Sequence, residues 1–121
     1  MEWDVQYHVD YLSELEAESE AVQDEVLSLV GLLKRFGPQL GRPHCDTLNG
    51  SRYPNMKELR FTLPDGEWRV AFAFDPERRA ILLIGGSKSG SSERKFYRSL
   101  NRIADKRYAE HLESLKPKKG E

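Results

Sequence analysis

Cysteine is nearly absent from this chain of 121 residues, which contains only Cys45. A single thiol excludes an internal disulfide and a zinc site built from several cysteines, and it is typical of a protein kept in a reducing cytoplasm. The histidines, His8, His44 and His111, do not have the sequence spacing of metal ligands. The sequence therefore predicts neither a metal nor a cofactor.

Long apolar runs are also missing. No stretch approaches the roughly 20 apolar residues that a membrane-spanning helix needs, so no membrane segment is predicted. The N-terminal segment, MEWDVQYHVD, has neither a basic start nor an apolar centre, and we expect no signal peptide. The length is that of one domain, which we expect to cover residues 1–115, followed by a disordered basic tail at 116–121.

Basic side chains are absent from the first quarter of the chain. Residues 1–33 carry nine acids and no Lys or Arg, which gives this segment a charge of −9. Residues 34–84 carry +3 and residues 85–121 carry +5, so the net charge of −1 conceals a strong polarity. The polarity indicates one acidic and one basic surface, of which the basic one suits phosphate. We expect the acidic surface to lie far from the basic one.

Two strands joined by a tight turn form the centre of the predicted fold, in residues 57–73. Apolar and polar residues alternate with period two on both sides of Asp65-Gly66, a dipeptide that favours a two-residue hairpin turn. This turn places Leu63 opposite Trp68 and keeps the apolar side chains on one face. The other face is polar and is predicted to be open to solvent.

The polar face of this hairpin carries a cluster of charges. In the predicted register Thr62 lies opposite Arg69, Arg60 is a diagonal neighbour of Arg69, and Glu58 lies beside Arg60. Two guanidinium groups held by a sheet suit a phosphate, because they remain charged and donate paired hydrogen bonds. A solvated sheet face without function is the alternative interpretation, since exposed faces are commonly charged.

Helical periodicity dominates the region before the hairpin. A strand predicted at residues 2–7 precedes a helical region at 9–36, which we interpret as a helical hairpin with a break near 16–20. One long helix is the alternative. Glycine and proline then predict a loop at 37–55, with a short strand near 47–48.

After the hairpin, residues 80–84 (AILLI) form a continuous apolar run, as expected of a strand covered on both faces. The Gly-rich segment 85–90 leads to a last helix, for which Ser91 or Ser92 is the expected N-cap. The predicted fold class is α+β: a small, mainly antiparallel sheet, with an N-terminal helical hairpin and a C-terminal helix packed on one face.

Four segments together resemble the RelE/ParE toxin superfamily, and within it the HigB-like (phage Gp49-like) branch. They are the connector FGPQLGRPHCDTLNG, the strands KELRF and EWRVAFAF, and ILLIGGSKSG before a basic helix. The resemblance implies a RelE-like fold and a cytoplasmic type II toxin. Its implied partner is a cognate antitoxin, often a HigA-like helix-turn-helix protein, in a toxin–antitoxin hetero-oligomer.

The resemblance also implies an activity, ribosome-dependent cleavage of messenger RNA by a metal-independent endoribonuclease. Carried over by position, the residues expected to bind and activate RNA are Lys57, Glu58, Arg60, Arg69 and Lys88. Alternation directs Lys57 to the other sheet face and leaves it as an RNA contact only. Lys95 and Arg98 of the last helix are expected to bind backbone phosphate.

The expected chemistry is attack by the RNA 2′-hydroxyl on the adjacent phosphate. Arg60 and Arg69 suit stabilisation of the phosphorane, and Lys88 suits protonation of the leaving 5′-oxygen. Glu58 is the predicted general base, with pairing to an arginine as its alternative role. No histidine or tyrosine pair for proton transfer, which some relatives use, is evident at the sheet centre.

Two other functions remain open for a chain with this resemblance. A ParE-like toxin would inhibit gyrase by protein binding, without chemistry. A degenerate relative would be a catalytically inactive interaction module, and the acidic first segment is the reason to retain that possibility. Messenger RNA that stays intact in growth-arrested cells would exclude the ribonuclease.

Overall fold

The computed structural model describes residues 2–90 and 92–117 and contains five strands. In chain order they are β1 (Asp4–Tyr7), β2 (Cys45–Thr47), β3 (Met56–Leu63), β4 (Gly66–Phe74) and β5 (Arg79–Ser87). They form one sheet with the order β1-β5-β4-β3-β2. Only the β1–β5 pair among these strands is parallel, so the mainly antiparallel sheet is confirmed.

The predicted helical hairpin is present as α1 (Val9–Glu16) and α2 (Glu20–Phe36), so the single long helix is wrong. Ser19 stands at the break and caps α2 by accepting a hydrogen bond from the Val22 amide. The C-terminal helix α3 (Glu93–Ser114) is capped by Ser92. Within the described residues, we find no helix with the length and apolar character that a bilayer crossing requires.

The central hairpin forms two residues out of the predicted register. Its turn lies at Pro64-Asp65, so Leu63 pairs with Gly66 and Arg60 lies directly opposite Arg69. Proline lacks an amide hydrogen and has a fixed φ, and it therefore suits the turn better than a ladder position beside it. A slip of two residues preserves the alternation, so the predicted face of each side chain is correct although the cross-strand partners are not.

Helices cover both faces of the sheet, which corrects the prediction that they pack on one. One core cluster lies between the sheet and the α1–α2 hairpin and includes Leu59, Phe72 and Val26. The other lies under α3, where Leu100 and other helix residues pack against the small side chains of β4. Those side chains, Ala71 and Ala73, are fully buried and let the helix approach. The polar side chains of the hairpin therefore share a face with α3.

The remaining strand predictions are confirmed with shifted ends. β2 begins two residues before the predicted short strand, and β5 extends the apolar run 80–84 into the glycine-rich segment. Of the predicted tail, Lys116 contacts Glu113 at 3.0 Å, and residues 118–121 lie outside the described residues. The domain limit at residue 115 stays a prediction.

A buried carboxylate holds the turn between β4 and β5 to α3. The Asp75 side chain is fully buried and accepts hydrogen bonds from the Arg79 side chain and amide, and it lies 2.8 Å from His111 Nε2. Burial acts to raise the pKa of Asp75, but the hydrogen bonds from His111 and Arg79 outweigh it and lower the pKa below the ordinary 3.8.

We therefore expect Asp75 to make stability pH-dependent in the acid range. Its contribution is complete above the unfolded-state pKa and is lost as the pH falls through the lower, folded-state pKa. Urea unfolding between pH 5 and pH 2 should show this loss. Asp75→Asn should lower the free energy of unfolding at neutral pH by about 3 kcal/mol and flatten the acid dependence. An unchanged acid slope in Asp75→Asn would contradict the assignment.

Candidate functional site

A network of charged side chains fills the space between the β3–β4 hairpin and the start of α3. Glu58 is its centre, with 4% of the residue exposed. Its Oε2 accepts a hydrogen bond from Arg60 Nη1 at 2.6 Å, and its Oε1 accepts one from the Tyr97 hydroxyl at 3.0 Å. The carboxylate thus fixes one arginine and one tyrosine in relation to each other.

Arg69 lies beneath this pair and is 2% exposed, so the prediction that both guanidinium groups are open to solvent is wrong for Arg69. Its Nε donates to the Tyr97 hydroxyl at 3.1 Å, its Nη1 to the Trp68 carbonyl and its Nη2 to Glu67 Oε1 at 2.9 Å. Burial acts to lower the pKa of Arg69, but the hydrogen bonds to Glu67 and Tyr97 raise it. The guanidinium therefore remains charged and rigidly held.

Lys88 completes the cluster from the segment after β5. Its Nζ donates to Glu93 Oε1 at 2.7 Å and lies 5.6 Å from the centre of the Tyr97 ring. The Lys88 amide donates to the Glu67 carbonyl at 2.8 Å, which anchors the segment to β4. The hydrogen bond from Lys88 lowers the pKa of Glu93. Glu58, Arg60, Arg69 and Lys88 are thus brought together as the sequence indicated.

Two adjoining cavities open onto the network. The helix cavity, about 460 Å³, lies at α3 and is lined by Arg42, Asp46, Thr47, Asn49, Glu58, Arg60, Glu93, Arg94 and Tyr97. The edge cavity, about 380 Å³, lies where β3 extends beyond β2 and is lined by Glu25, Leu29, Arg42, Pro43, His44, Arg60, Phe61, Thr62, Glu67 and Arg69. Arg42 and Arg60 belong to both walls, so a ligand chain could pass from one cavity to the other.

The acidic hairpin is not remote from these cavities. Glu25 of α2 lines the edge cavity together with Arg60 and Arg69, so the expectation of complete separation is wrong at this residue. Glu14, by contrast, forms an ion pair with Arg107 and lines neither cavity. Both cavities are thus mixed in charge, since Asp46, Glu58 and Glu93 line the helix cavity. Of the two, the helix cavity is the one lined by Tyr97.

The three predicted RNA contacts outside the network lie in different places. Lys57 follows the alternation and points to the opposite sheet face from Arg60, away from both cavities. Lys95 is exposed on α3 and lines a depression near Gly86 on the other side of the helix from the network. Arg98 is exposed one helical turn after Arg94, beside the helix cavity.

Tyr97 is the member of the network that the sequence analysis missed. Burial raises the pKa of Tyr97, and the contact with Glu58 adds to the shift, so the hydroxyl is protonated at neutral pH. It donates to Glu58 and accepts from Arg69, which makes it the bridge of the network. The available signal was an aromatic residue between Arg94, Lys95 and Arg98, but its helical spacing indicated a core position.

One group of possible metal ligands occurs within the described residues, at His8, Asp10 and Glu110. Contact between residues so distant in sequence was not visible from spacing. His8 Nδ1 accepts a hydrogen bond from the Asp10 amide, and His8 Nε2 lies 3.1 Å from Glu110 Oε1. Both ring nitrogens are thus satisfied by the protein, with the histidine acting as the N-cap of α1. The group lines neither cavity.

The fold that carries the network is that of the RelE toxins. A free-state structure of an arginine-to-alanine mutant of Escherichia coli toxin RelE matches with a TM-score of 0.57, covering 84% of this chain and 96% of the RelE chain. The two sequences are 14% identical, so this similarity establishes the fold alone.

The chain belongs to the family described as phage derived protein Gp49-like, whose model matches residues 11–109. It is 44% identical over 98 residues to a protein designated toxin HigB2 of Mycobacterium tuberculosis strain H37Rv, covering 78% of this chain and 48% of HigB2. It is 48% identical over 90 residues to toxin HigB3 of the same organism, covering 74% of this chain and 75% of HigB3. The chain thus spans about half of HigB2, and the predicted RelE/HigB-type family is confirmed.

Proposed function

We propose that this protein is the toxin of a type II toxin–antitoxin system and that it inhibits translation by cleaving messenger RNA on the ribosome, without a metal. Two observations support the proposal: the relatives are designated toxins, and the fold is that of RelE. The observation that carries the chemistry is the bridge Arg69–Tyr97–Glu58 beside Arg60, at the wall of the helix cavity.

The bridge provides a path for the proton of the attacking 2′-hydroxyl. Because Tyr97 is protonated, it accepts that proton on its oxygen only as it passes its own proton to Glu58 Oε1, 3.0 Å away. Arg69 Nε donates to the same oxygen and stabilises the negative charge that develops there. Glu58 is then the final proton acceptor, and Arg69 is a positioning residue.

Arg60 and Lys88 provide the charges for the phosphate. Arg60 uses one nitrogen for Glu58 and lines both cavities, so its other donors can reach a non-bridging phosphate oxygen. The Lys88 ammonium lies over the Tyr97 ring and suits protonation of the leaving 5′-oxygen. The RNA must displace Glu93 from Lys88, and Lys88 then exchanges one anionic partner for another.

The proposed partner is a cognate, HigA-like antitoxin that binds the toxin in a hetero-oligomer. The toxin designations of HigB2 and HigB3 support a partner of this kind. We further propose that the toxin acts in the cytoplasm, where its messenger RNA substrate is translated.

Primer extension on a reporter transcript tests the proposed activity. After induction of the protein, new 5′ ends should appear within the translated region and should vanish when the start codon is removed. Arg60→Ala should reduce their amount by at least tenfold, because it removes a charge from the reacting phosphate. Arg35→Ala removes an equal charge from an exposed position on α2 and should cleave as the original protein does. Growth arrest without new ends would contradict the ribonuclease.

An interaction module without catalysis is the second candidate function. The observation in its favour is that each central cation already has a carboxylate partner: Glu58 for Arg60, Glu67 for Arg69 and Glu93 for Lys88. A ParE-like gyrase inhibitor belongs to the same class. The non-toxic module should cause no growth arrest when it is induced. For the gyrase inhibitor, Arg60→Ala should leave growth arrest unchanged, and DNA damage should precede translation arrest.

A further inference from the structure

Three arginines of α3 form a row that the proposed chemistry does not use. Arg94, Arg98 and Arg102 follow one another at four-residue intervals and are all exposed. Successive members are about 6 Å apart along the helix axis, which is comparable to the separation of neighbouring phosphates in a single strand. The row lines a shallow groove of about 570 Å³, whose other wall includes Asn49 and Gly50.

These arginines differ from the other cations near the site because they have no acidic partner. Within residues 2–90 and 92–117, none of the three lies within 4.0 Å of a carboxylate, whereas Arg42, Arg60, Arg69 and Lys88 all do. The two nearest carboxylates have other partners. Glu93, next to Arg94, pairs with Lys88, and Asp105, which also lines the groove, accepts hydrogen bonds from the Ser51 hydroxyl and the Arg52 amide. The row therefore presents three unneutralised charges on one face.

The floor of the groove is fixed by the loop before β3. Gly50 has φ +94° and lies so close to α3 that a Cβ would approach Asn101 Nδ2 to 2.8 Å. The same amide nitrogen donates to the Asn49 carbonyl at 3.0 Å. Together with the Asp105 contacts, these interactions hold the loop against the helix. The groove is thus preformed and does not need a partner to order it.

The groove is continuous with the proposed active site. Asn49, Arg94 and Tyr97 line both this groove and the helix cavity. A chain bound along the arginine row would therefore reach the Tyr97 hydroxyl without crossing another element. This continuity favours a polyanion that extends from the reacting phosphate. It does not favour an acidic protein segment, because such a segment would have no reason to enter the network.

We propose that the Arg94–Arg98–Arg102 row is a binding track for the sugar–phosphate backbone of single-stranded RNA next to the cleaved bond. The proposal rests on the proposed function, since it assigns part of the substrate of that site. The track contacts phosphates and no base edges, so it adds affinity without sequence specificity. Its contribution is electrostatic and is weakened by salt.

Binding of two labelled oligonucleotides tests the track. Both carry 2′-O-methyl groups and so cannot be cleaved by attack of a 2′-hydroxyl; the short one fills only the helix cavity, and the long one extends several nucleotides further. In fluorescence anisotropy, Arg98→Ala/Arg102→Ala should weaken binding of the long oligonucleotide about tenfold. It should also reduce the slope of log affinity against log salt by about 1.4, or 0.7 for each phosphate contact. Binding of the short one should be unchanged.

The matched control is Lys34→Ala/Arg35→Ala, which removes the same charge from exposed positions at the end of α2. Equal losses of affinity for the long oligonucleotide in both double variants would refute the proposed track, because such losses would reflect net charge alone. A loss of poly-L-glutamate binding in Arg98→Ala/Arg102→Ala, with RNA binding retained, would also overturn it and assign the row to an acidic protein. Primer extension with the unaltered protein separates the two failures: intact transcripts refute the proposed function, whereas cleaved transcripts with no track effect refute only the track.

Discussion

Tyr97→Phe is expected to reduce RNA cleavage about a hundredfold while the protein remains folded. The substitution keeps the ring, and with it the contact to Lys88, but removes the hydroxyl that joins Arg69 Nε to Glu58 Oε1. The proton of the 2′-hydroxyl then has no path to the buried carboxylate. The free energy of unfolding should fall by about 3 kcal/mol, because the buried Glu58 and Arg69 each lose a hydrogen-bond partner. Primer extension and urea unfolding measure the two effects separately.

Tyr108→Phe provides the matched control for this prediction. Tyr108 lies on the same helix and is buried, and its hydroxyl donates to the Phe74 carbonyl at 3.2 Å. Its removal should cost about 1 kcal/mol of stability but leave cleavage unchanged, since the hydroxyl contacts no member of the network. Equal cleavage by the two variants would refute the proton path through Tyr97 and return the role of general base to Glu58 alone.

Local patterns predicted which face each strand residue occupies, but not its partner. Alternation in residues 57–73 placed Glu58, Arg60 and Arg69 together, and the structure brings them together. The predicted turn at Asp65-Gly66 is misplaced because it would put Pro64, which has no amide hydrogen, into the ladder. The predicted register differs from the observed one by two residues. Because side chains alternate with period two, this shift leaves each residue of the site on its predicted face.

The contact of Tyr97 with Glu58 could not be predicted from either segment. The two residues are 39 positions apart, and helical spacing shows only that Tyr97 shares a stripe with apolar residues. The sheet face that α3 covers depends on its packing against Ala71 and Ala73. This is a tertiary contact, which local sequence patterns do not predict. The Glu67–Arg69 pair is likewise absent from the sequence analysis, although residues two apart on a strand share a face.

Because Arg69 is buried, its substitution is expected to change the stability of the protein as well as its activity. Arg69→Ala should lower the free energy of unfolding by about 3 kcal/mol, since it removes a charge that is bonded to Glu67, Tyr97 and the Trp68 carbonyl. Relief of growth arrest by this variant alone would therefore not establish a catalytic role. Cleavage has to be measured per folded molecule, at a temperature at which urea titration shows the variant still folded.

Under that condition we expect Arg69→Ala to cleave at least tenfold more slowly than the original protein. Tyr97 keeps Glu58 as its acceptor but loses the donor that stabilises charge on its oxygen. Arg107→Ala is the matched control: Arg107 is 13% exposed, pairs with Glu14 and donates to the Leu83 carbonyl, about 15 Å along α3 from Tyr97. The Arg107→Ala variant should also have a lower free energy of unfolding, but it should cleave RNA normally per folded molecule. If both variants cleave normally per folded molecule, Arg69 holds the fold together and has no part in the reaction, because its contact with Tyr97 would then be structural only.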